Sequence, residues 1–251
     1  MTAPVIAPVI AVIIPARNEA QALPHVLGAI PDRIDHVIVA DNGSTDGSAA
    51  VARAHGARTV DVPQAGYGRA CLAAIAEAGR LGADIIVFLD GDHSDYPEQM
   101  PRLIDPIMAG IADMVIGSRT RGTRTARALT PQQIFGNALA CWLIARVWGY
   151  RYTDLGPFRA IRADALRALA LREQTYGWTV EMQIRAVQHG LRIIEVPVDY
   201  RARIGTSKVS GTVRGVVLAG WHILAMIARA AISPPRSLPH PIRRSARNAG
   251  D

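Results

Sequence analysis

The chain has 251 residues, of which 49% are hydrophobic and 5% aromatic, enough apolar material for one sizeable core without requiring two domains. With 28 basic and 21 acidic residues, the formal net charge is +7, which suits nucleic acid, anionic membranes or phosphorylated substrates. The arginines are spread along the chain and are not interleaved with aromatic side chains, as a platform for stacking bases would require. We therefore expect no nucleic-acid partner.

The expected compartment is the cytoplasm, with the inner face of the cell membrane as an alternative. Cys71 and Cys141 lie in apolar helical contexts without metal-ligand spacing, which favours a reducing environment over a disulfide framework. The stretch from Met1 to Pro8 lacks the basic region that begins a secretory signal peptide.

The order of the predicted elements indicates an α/β protein. Apolar runs predict strands at Val9 to Ile14, His36 to Ala40, Thr59 to Val62, Ile85 to Leu89 and Met114 to Ile116. They alternate with alanine-rich helical stretches, a pattern typical of a mostly parallel sheet with helices on both faces. After Arg119 the sequence predicts helices at Gln132 to Trp148, Ala163 to Leu171 and Thr179 to His189, and then a strand at Ile193 to Val196.

The fourth predicted strand runs directly into Asp90-Gly91-Asp92, the most informative feature of the chain. Open α/β sheets bind ligands at the carboxyl ends of their strands, where these two carboxylates are expected to lie. Carboxylate oxygens suit hard cations such as Mg²⁺ or Mn²⁺, and a cation with two such ligands keeps positions free for phosphate oxygens. The sequence thus predicts a site for a metal ion and a diphosphate.

Two other strand ends carry polar clusters. The first strand leads into Pro15 to Glu19, and the second into Asp41 to Gly47. The Asp41 carboxylate could accept a hydrogen bond from a pyrimidine or a ribose hydroxyl, although a simple turn and helix cap is the alternative. Gly66 to Cys71 follows the third strand and lacks the third glycine of a dinucleotide fingerprint, so we interpret it as a tight loop beside the nucleotide.

Together the motifs resemble those of family 2 glycosyltransferases, and most of all the dolichol-phosphate mannose and glucose synthases. The segments that carry the resemblance are Val12 to Glu19, Asp41 to Gly47, Asp90 to Asp92, Gly117 to Arg119, Asp154 to Arg159 and Arg203 to Lys208. The resemblance implies the GT-A fold and an inverting, metal-dependent transferase that uses a UDP- or GDP-linked sugar. It further implies that the nucleotide contacts Pro15, Ala16, Arg17, Glu19, Asp41, Gly68, Arg69, Asp90 and Gly91, and that the metal binds Asp90 and Asp92.

The domain organisation follows from this resemblance. Residues 1–232 are expected to form a single GT-A domain, with a nucleotide-binding half at 9–119, an acceptor half at 120–211 and an apolar helix at 212–231. Residues 233–251 are expected to be a basic, flexible tail.

The acceptor is indicated by a departure from the family pattern. Relatives that glycosylate a sugar hydroxyl carry an aspartate as general base where this chain has Thr179. A lipid phosphate such as polyprenyl phosphate is already anionic and needs no base, so it is favoured as acceptor. We expect Arg119, Arg203 and Lys208 to bind its phosphate. If the acceptor is instead a small hydroxyl compound, Glu181 or Asp154 becomes the candidate catalytic base.

The predicted helix at 212–231 has its longest uncharged run from Gly215 to Ala228, shorter than the about 20 apolar residues that span a bilayer. Three interpretations remain for it: burial in the core, packing in a homodimer, or peripheral docking on an anionic membrane.

Two further classes of protein stay open at this point. A haloacid-dehalogenase-type phosphatase also ends a strand in Asp-x-Asp, but usually on its first strand. A non-catalytic protein that binds nucleotide sugars is the other alternative, because binding motifs do not prove turnover.

Overall fold

The computed structural model describes residues 7–126, 128–205 and 213–232, with the side chains of the last segment from Gly220 onward. The strands are β1 Ile10–Ala16, β2 His36–Asp41, β3 Arg58–Asp61, β4 Ile85–Phe88, β5 Met114–Ser118, β6 Arg159–Arg162 and β7 Ile193–Pro197. The helices are α1 Leu23–Gly28, α2 Ser48–Ala54, α3 Tyr67–Arg80, α4 Met100–Met108, α5 Pro131–Trp148, α6 Ala163–Leu169, α7 Trp178–Gln188 and α8 Val213–Ile232. A short 3-10 helix, Pro97–Gln99, precedes α4.

The strands form one sheet in the order β3-β2-β1-β4-β6-β5-β7. Neighbouring strands are parallel except that β6 runs antiparallel to both β4 and β5. The prediction of a mostly parallel α/β sheet is confirmed. The chain reverses its direction of strand addition at β1, since β2 and β4 lie on opposite sides of it, and such a switch point is where open α/β sheets bind ligands.

Both faces of the sheet are covered. Along β1, Ala11 and Ile13 point into one hydrophobic cluster while Val12 and Ile14 point into the other, because successive side chains of a strand alternate. Helices α3 and α7 cover the first face, and α1 and α4 cover the second. This burial on both sides explains why the parallel strands are continuous apolar runs in the sequence.

Strand β6 was not predicted. Its sequence has an arginine at each end, and nothing in the alternation of apolar residues marks it as a strand. The Arg159 side chain is nevertheless fully buried, where its guanidinium donates to the carbonyl oxygens of Thr179 (3.2 Å), Leu155 (3.3 Å) and Gly156. Burial lowers the pKa of Arg159 to about 10. Strand β6 thus lies inside the sheet between β4 and β5, with the charge of Arg159 satisfied by carbonyl oxygens, an arrangement that the sequence does not display.

Helix α8 lies close to its predicted bounds and packs against α5 and α7. Ile227 is buried, whereas the Trp221 side chain is 68% exposed, so one face of the helix joins the core and another meets solvent. Among the described residues, none of the helices combines the length and apolar character that crossing a bilayer requires. The predicted tail at 233–251 lies outside the described residues.

Candidate active site

Asp90 and Asp92 lie at the carboxyl end of β4, next to the end of β1. The strands are held in register there by the Leu89 amide, which donates to the Ile13 carbonyl at 3.0 Å. Gly91 makes the close approach possible, because a Cβ atom at that position would lie 3.3 Å from the Ile14 side chain and 3.5 Å from the Pro15 carbonyl oxygen. The predicted placement of the acidic pair at the rim of the sheet is what the structure shows.

The pKa of the Asp90 carboxyl group lies near neutral pH. Burial, and then repulsion from Asp92, raise its pKa to about 7, against the opposing effect of the Tyr67 hydroxyl, which donates to Oδ1 at 3.1 Å. A bound divalent cation would favour the ionised form of the carboxylate. The environment of Asp90 therefore favours a bound cation over two neighbouring ionised carboxylates with no cation beside them.

The Asp92 carboxylate is buried, and contacts with Ser94 and Arg203 fix its orientation. Oδ1 accepts hydrogen bonds from the backbone amide (2.9 Å) and the hydroxyl (2.5 Å) of Ser94. Oδ2 forms an ion pair with the Arg203 guanidinium, and the Ile204 amide donates to the Asp92 carbonyl at 2.9 Å. The segment 200–204 thus lies directly against the acidic turn.

Asp95 is a site residue that the sequence reasoning missed. It is 1% exposed, and neither of its carboxylate oxygens has a hydrogen-bond partner among the described residues. Burial, together with the charges of Asp90 and Asp92, raises its pKa well above the usual range. The third aspartate in Asp-Gly-Asp-His-Ser-Asp was a visible signal, but nothing in the sequence says that its side chain turns inward.

The donor set fits a hard divalent cation bound by few protein ligands. In the described part of the chain, no three His, Cys, Asp or Glu side chains converge on one ion position. Asp90 and Asp92 could supply carboxylate oxygens to a cation without closing its coordination sphere, which is the condition for a cation that also binds phosphate oxygens.

A cleft of about 1060 Å³ opens beside this turn. Its charged end contains most of the predicted nucleotide-binding residues, namely Pro15, Ala16, Arg17, Glu19, Asp90 and Gly91, together with Asp92 and Arg203. The apolar wall of its lining comes from α5, from the segment before β6 and from α8, namely Phe135, Leu139, Ala140, Leu155, Pro157, Ile223 and Leu224. One cavity therefore joins a charged end to a hydrocarbon-like wall.

Three residues predicted to bind nucleotide do not line this cleft. Asp41 lies at the end of β2, and its Oδ1 accepts a hydrogen bond from the Ser44 amide at 3.1 Å. Gly68 packs so closely on residues 173–174 that an added Cβ would lie 2.2 Å from the Glu173 carbonyl oxygen. Arg69 donates to the Gln174 side chain at 2.9 Å. The contacts of Gly68 and Arg69 hold the first turn of α3 against residues 173–174, and the contact of Asp41 stays within the turn that follows β2.

Asn42, which the sequence reasoning did not single out, does line the cleft. Its side-chain nitrogen donates to the carbonyl oxygens of Val62 (3.1 Å) and Gln64 (2.8 Å), and its side-chain oxygen accepts from the Gly66 amide at 2.8 Å. Asn42 thereby ties the end of β2 to the loop that carries Tyr67 towards Asp90.

Arg119 and Asp154, predicted as an acceptor ligand and a candidate base, form a buried pair. The Arg119 guanidinium donates to both Asp154 oxygens, at 2.8 and 2.7 Å, and its backbone amide donates at 2.7 Å. Burial alone would lower the pKa of Arg119, but Asp154 outweighs it and raises that pKa. The hydrogen bonds occupy Asp154, which makes it poorly placed to accept a proton from a substrate.

The Glu181 carboxylate, like that of Asp154, accepts several hydrogen bonds from the protein, and Glu181 does not line the cleft. Its Oε2 accepts from the backbone amides of Arg172 (3.0 Å) and Glu173 (2.8 Å), and its Oε1 accepts from Arg185 at 3.2 Å. Thr179, two residues earlier on α7, does line the cleft. Lys208, the third predicted acceptor ligand, lies outside the described residues.

The fold and the acidic turn define an α/β protein whose candidate ligand site lies at the carboxyl ends of its strands. Within that class, the chain belongs to glycosyl transferase family 2, whose model matches residues 11–169. The resemblance seen in the sequence is thereby confirmed.

Relatives and structural neighbours agree with this membership. The chain is 35% identical to an undecaprenyl-phosphate mannosyltransferase of Micrococcus luteus, over 85% of this chain and 93% of the relative. It is 31% identical to a polyprenol monophosphomannose synthase of Mycolicibacterium smegmatis, over 87% and 89% of the two chains. A crystal structure of glucosyl-3-phosphoglycerate synthase from Mycobacterium tuberculosis, in complex with Mn²⁺, UDP and glucosyl-3-phosphoglycerate, superposes with a TM-score of 0.72 at 24% identity, covering 89% and 80%. This likeness confirms the predicted GT-A fold.

Proposed function

We propose that the protein is an inverting glycosyltransferase that moves a sugar from a UDP- or GDP-linked donor to a polyprenyl phosphate. The observation that carries the proposal is the cleft, which joins the acidic turn to an apolar wall. The names of the two sequence relatives support the same class of acceptor.

The shape of the cleft matches an amphiphilic acceptor. Arg203 stands at the charged end, where it could pair with the acceptor phosphate, and Phe135 and Leu224 stand on the apolar wall. These two apolar side chains are 69% and 40% exposed, which is costly unless a hydrocarbon covers them. A small hydroxyl compound would leave that wall in water, whereas the first isoprene units of a polyprenyl phosphate would cover it.

The charged end suits a nucleoside diphosphate with Mg²⁺ or Mn²⁺ held by Asp90 and Asp92. A bound cation would supply Lewis-acid neutralisation of the charge on the departing diphosphate. The Mn²⁺ in the crystal structure of the structural neighbour supports this choice of metal. Arg17, Glu19 and Asn42 line the adjoining part of the cleft and are proposed to contact the nucleoside.

The two predicted candidate bases are both engaged in hydrogen bonds within the described part of the chain, which supports a phosphate nucleophile. Asp154 and Glu181 accept hydrogen bonds from other parts of the protein, and Thr179 stands in the cleft where hydroxyl-glycosylating relatives are expected to carry a base. A phosphate is already ionised near neutral pH, so transfer to it requires positioning and charge neutralisation but no proton removal.

An acceptor dissolved in a bilayer implies that the enzyme works at a membrane surface. We propose peripheral association with the inner face of the cell membrane. Residues 9–119 would provide the donor site, and the acceptor site would be formed by α5, α8 and the segment around Arg203.

The test is transfer of radiolabel from UDP-glucose and GDP-mannose to matched lipids in the presence of Mn²⁺. Farnesyl phosphate and undecaprenyl phosphate should yield an organic-soluble labelled product, and farnesol, which lacks only the phosphate, should yield none. Transfer to farnesol or to a soluble sugar hydroxyl, with none to either phosphate, would reject the proposed acceptor. Donor binding without any transfer would favour a non-catalytic nucleotide-sugar-binding protein.

A further inference from the structure

A second cavity, of about 690 Å³, lies against a different face of α5. Ile134, Ala138, Cys141 and Ala145 recur at the three- and four-residue spacing of one helical stripe, and this stripe forms its apolar side. Phe135 and Leu139, which line the nucleotide cleft, fall on another stripe of the same helix. Helix α5 therefore borders two cavities, whose linings have Arg119, Gln133 and Asn137 in common.

The charges around the second cavity are unbalanced. Four arginines line it, and the one acidic residue in its lining, Asp154, is already paired with Arg119. Arg124, Arg146 and Arg151 are exposed and form no ion pair with any described carboxylate. Three cations thus face one cavity without a counter-charge from the described residues, which favours an anionic ligand.

The apolar part of the second cavity indicates that its anionic ligand also has a hydrocarbon part. The Trp142 side chain is 57% exposed, and the guanidinium of Arg146 lies 6.0 Å from the centre of its indole ring. Ile134 is 47% exposed on the same side of the helix. An indole beside an arginine is the pairing found at the headgroup level of membranes, where one end of the side chain meets hydrocarbon and the other meets phosphate. A free phosphate ion would use the arginines and leave the apolar surface in water.

We propose that this cavity binds the phosphate headgroup of an anionic phospholipid in the bilayer, with Arg124, Arg146 and Arg151 on the phosphate and Trp142 at the hydrocarbon boundary. The site goes beyond the proposed function, because none of these four residues lines the nucleotide cleft. When the site is occupied, α5 lies on the membrane surface. The exposed Phe135, on the neighbouring stripe of the same helix, then also contacts the membrane.

Co-sedimentation with vesicles tests the site in the full chain. Vesicles of phosphatidylcholine with phosphatidylglycerol are compared with vesicles of phosphatidylcholine alone, at fixed ionic strength. The double variant Arg146→Ala/Arg151→Ala should lose about tenfold or more in apparent partitioning to the anionic vesicles, given that each basic residue contributes about 1 kcal/mol near such a surface.

The matched control is Arg167→Ala/Arg172→Ala, two exposed arginines of the α6 region that lie outside both cavities. Each double variant lowers the net charge by two, from +7 to +5, so any effect of overall charge is the same in both. The control should retain nearly all of its partitioning. Arg146→Lys/Arg151→Lys should retain more binding than the alanine pair, and Trp142→Ser should weaken binding without a change of charge.

Equal losses in the two alanine pairs would overturn the site, because they would show that only net charge matters. Saturable binding of glycerol phosphate or inorganic phosphate without recruitment to vesicles would also overturn it in favour of a soluble anion. Calorimetric titration of UDP with Mn²⁺ into the same variants should be unchanged. That measurement separates failure of the lipid site from failure of the proposed glycosyl transfer.

Discussion

The guanidinium of Arg203 forms an ion pair with the carboxylate of Asp92, although 111 positions separate the two residues in the chain. The contact is reinforced by Arg201, whose side chain donates to the carbonyl oxygens of His93 (2.6 Å) and Asp95 (3.1 Å) and lies over the ring of Tyr96. A positive charge from the acceptor half of the protein therefore stands beside the proposed cation site. In the proposed function, the donor and acceptor sites would meet at this contact.

Arg203→Ala should change metal binding and transfer in opposite directions. The variant removes a cation that competes for Asp92, so the dissociation constant for Mn²⁺ alone should fall by about two- to tenfold, as expected for a partly exposed pair worth ~1 kcal/mol. Transfer to farnesyl phosphate should slow, because the acceptor phosphate loses its guanidinium partner. Calorimetry with Mn²⁺ and steady-state kinetics measure the two effects, and Arg203→Lys should lie between the variant and the wild type. Weaker Mn²⁺ binding would contradict the competition.

Asp92→Asn should abolish transfer and Mn²⁺-dependent nucleotide binding while leaving the fold intact. The amide keeps the size of the side chain but removes the charge and one acceptor oxygen that a cation requires. Calorimetry of UDP and GDP with and without Mn²⁺ measures the loss, and circular dichroism checks the fold. Asp105→Asn, at an exposed aspartate paired with Arg33, is the matched control and should behave as wild type. Full activity of Asp92→Asn in EDTA would rule out the metal site.

Asp90 should make the metal-free protein less stable as the pH rises through about 7. Its folded-state pKa lies above that of an unfolded aspartate, about 3.9, so the folded protein holds a proton that the unfolded chain releases between these values. The free energy of unfolding in EDTA should therefore fall with increasing pH, and Asp95 contributes with the same sign. Denaturation of wild type and Asp90→Asn between about pH 4 and 7, the range that the two pKa values define, should show a shallower dependence in the variant. Equal slopes would indicate that Asp90 is ionised throughout.

Asn42→Ala should destabilise the protein and weaken nucleotide binding more than Asp41→Ala does. Loss of the Asn42 amide leaves the Gly66 amide and the carbonyl oxygens of Val62 and Gln64 without their partner, at a cost of about 1–3 kcal/mol. Asp41 has one such contact, to the Ser44 amide. Chemical denaturation and calorimetry of UDP binding compare the two variants. A larger loss of UDP affinity in Asp41→Ala would restore the sequence-based assignment of the nucleoside contact.

The sequence placed the acidic turn at the end of β4 correctly because the strand and the turn are locally encoded. The strand β4 and the acidic turn after it are adjacent in the chain, so hydrophobicity and residue type were enough to place Asp90 and Asp92. The acceptor side depends on contacts between distant segments, such as Arg203 with Asp92 and Glu181 with the backbone of residues 172–173. Strand β6 was missed for the same reason, since it pairs with β4 and β5, which are distant in the chain, and the Thr179 carbonyl oxygen that helps to accommodate Arg159 lies 20 positions away.

Asp154→Asn decides between a structural and a catalytic role for that carboxylate. Asp154 is 1% exposed and accepts hydrogen bonds from two nitrogen atoms of the Arg119 guanidinium. Neutralising Asp154 therefore leaves a buried cation without its counter-charge. Breaking such a pair costs about 3–5 kcal/mol, which urea denaturation would measure as a lower transition midpoint. The double variant Arg119→Gln/Asp154→Asn should recover part of that stability, because it removes the unpaired charge as well. If Asp154 is instead the general base for a hydroxyl acceptor, the single variant should lose turnover while its unfolding midpoint stays close to that of the wild type. A structural role predicts the reverse order of effects: a large fall in stability and, at a temperature where the variant remains folded, retention of transfer to farnesyl phosphate.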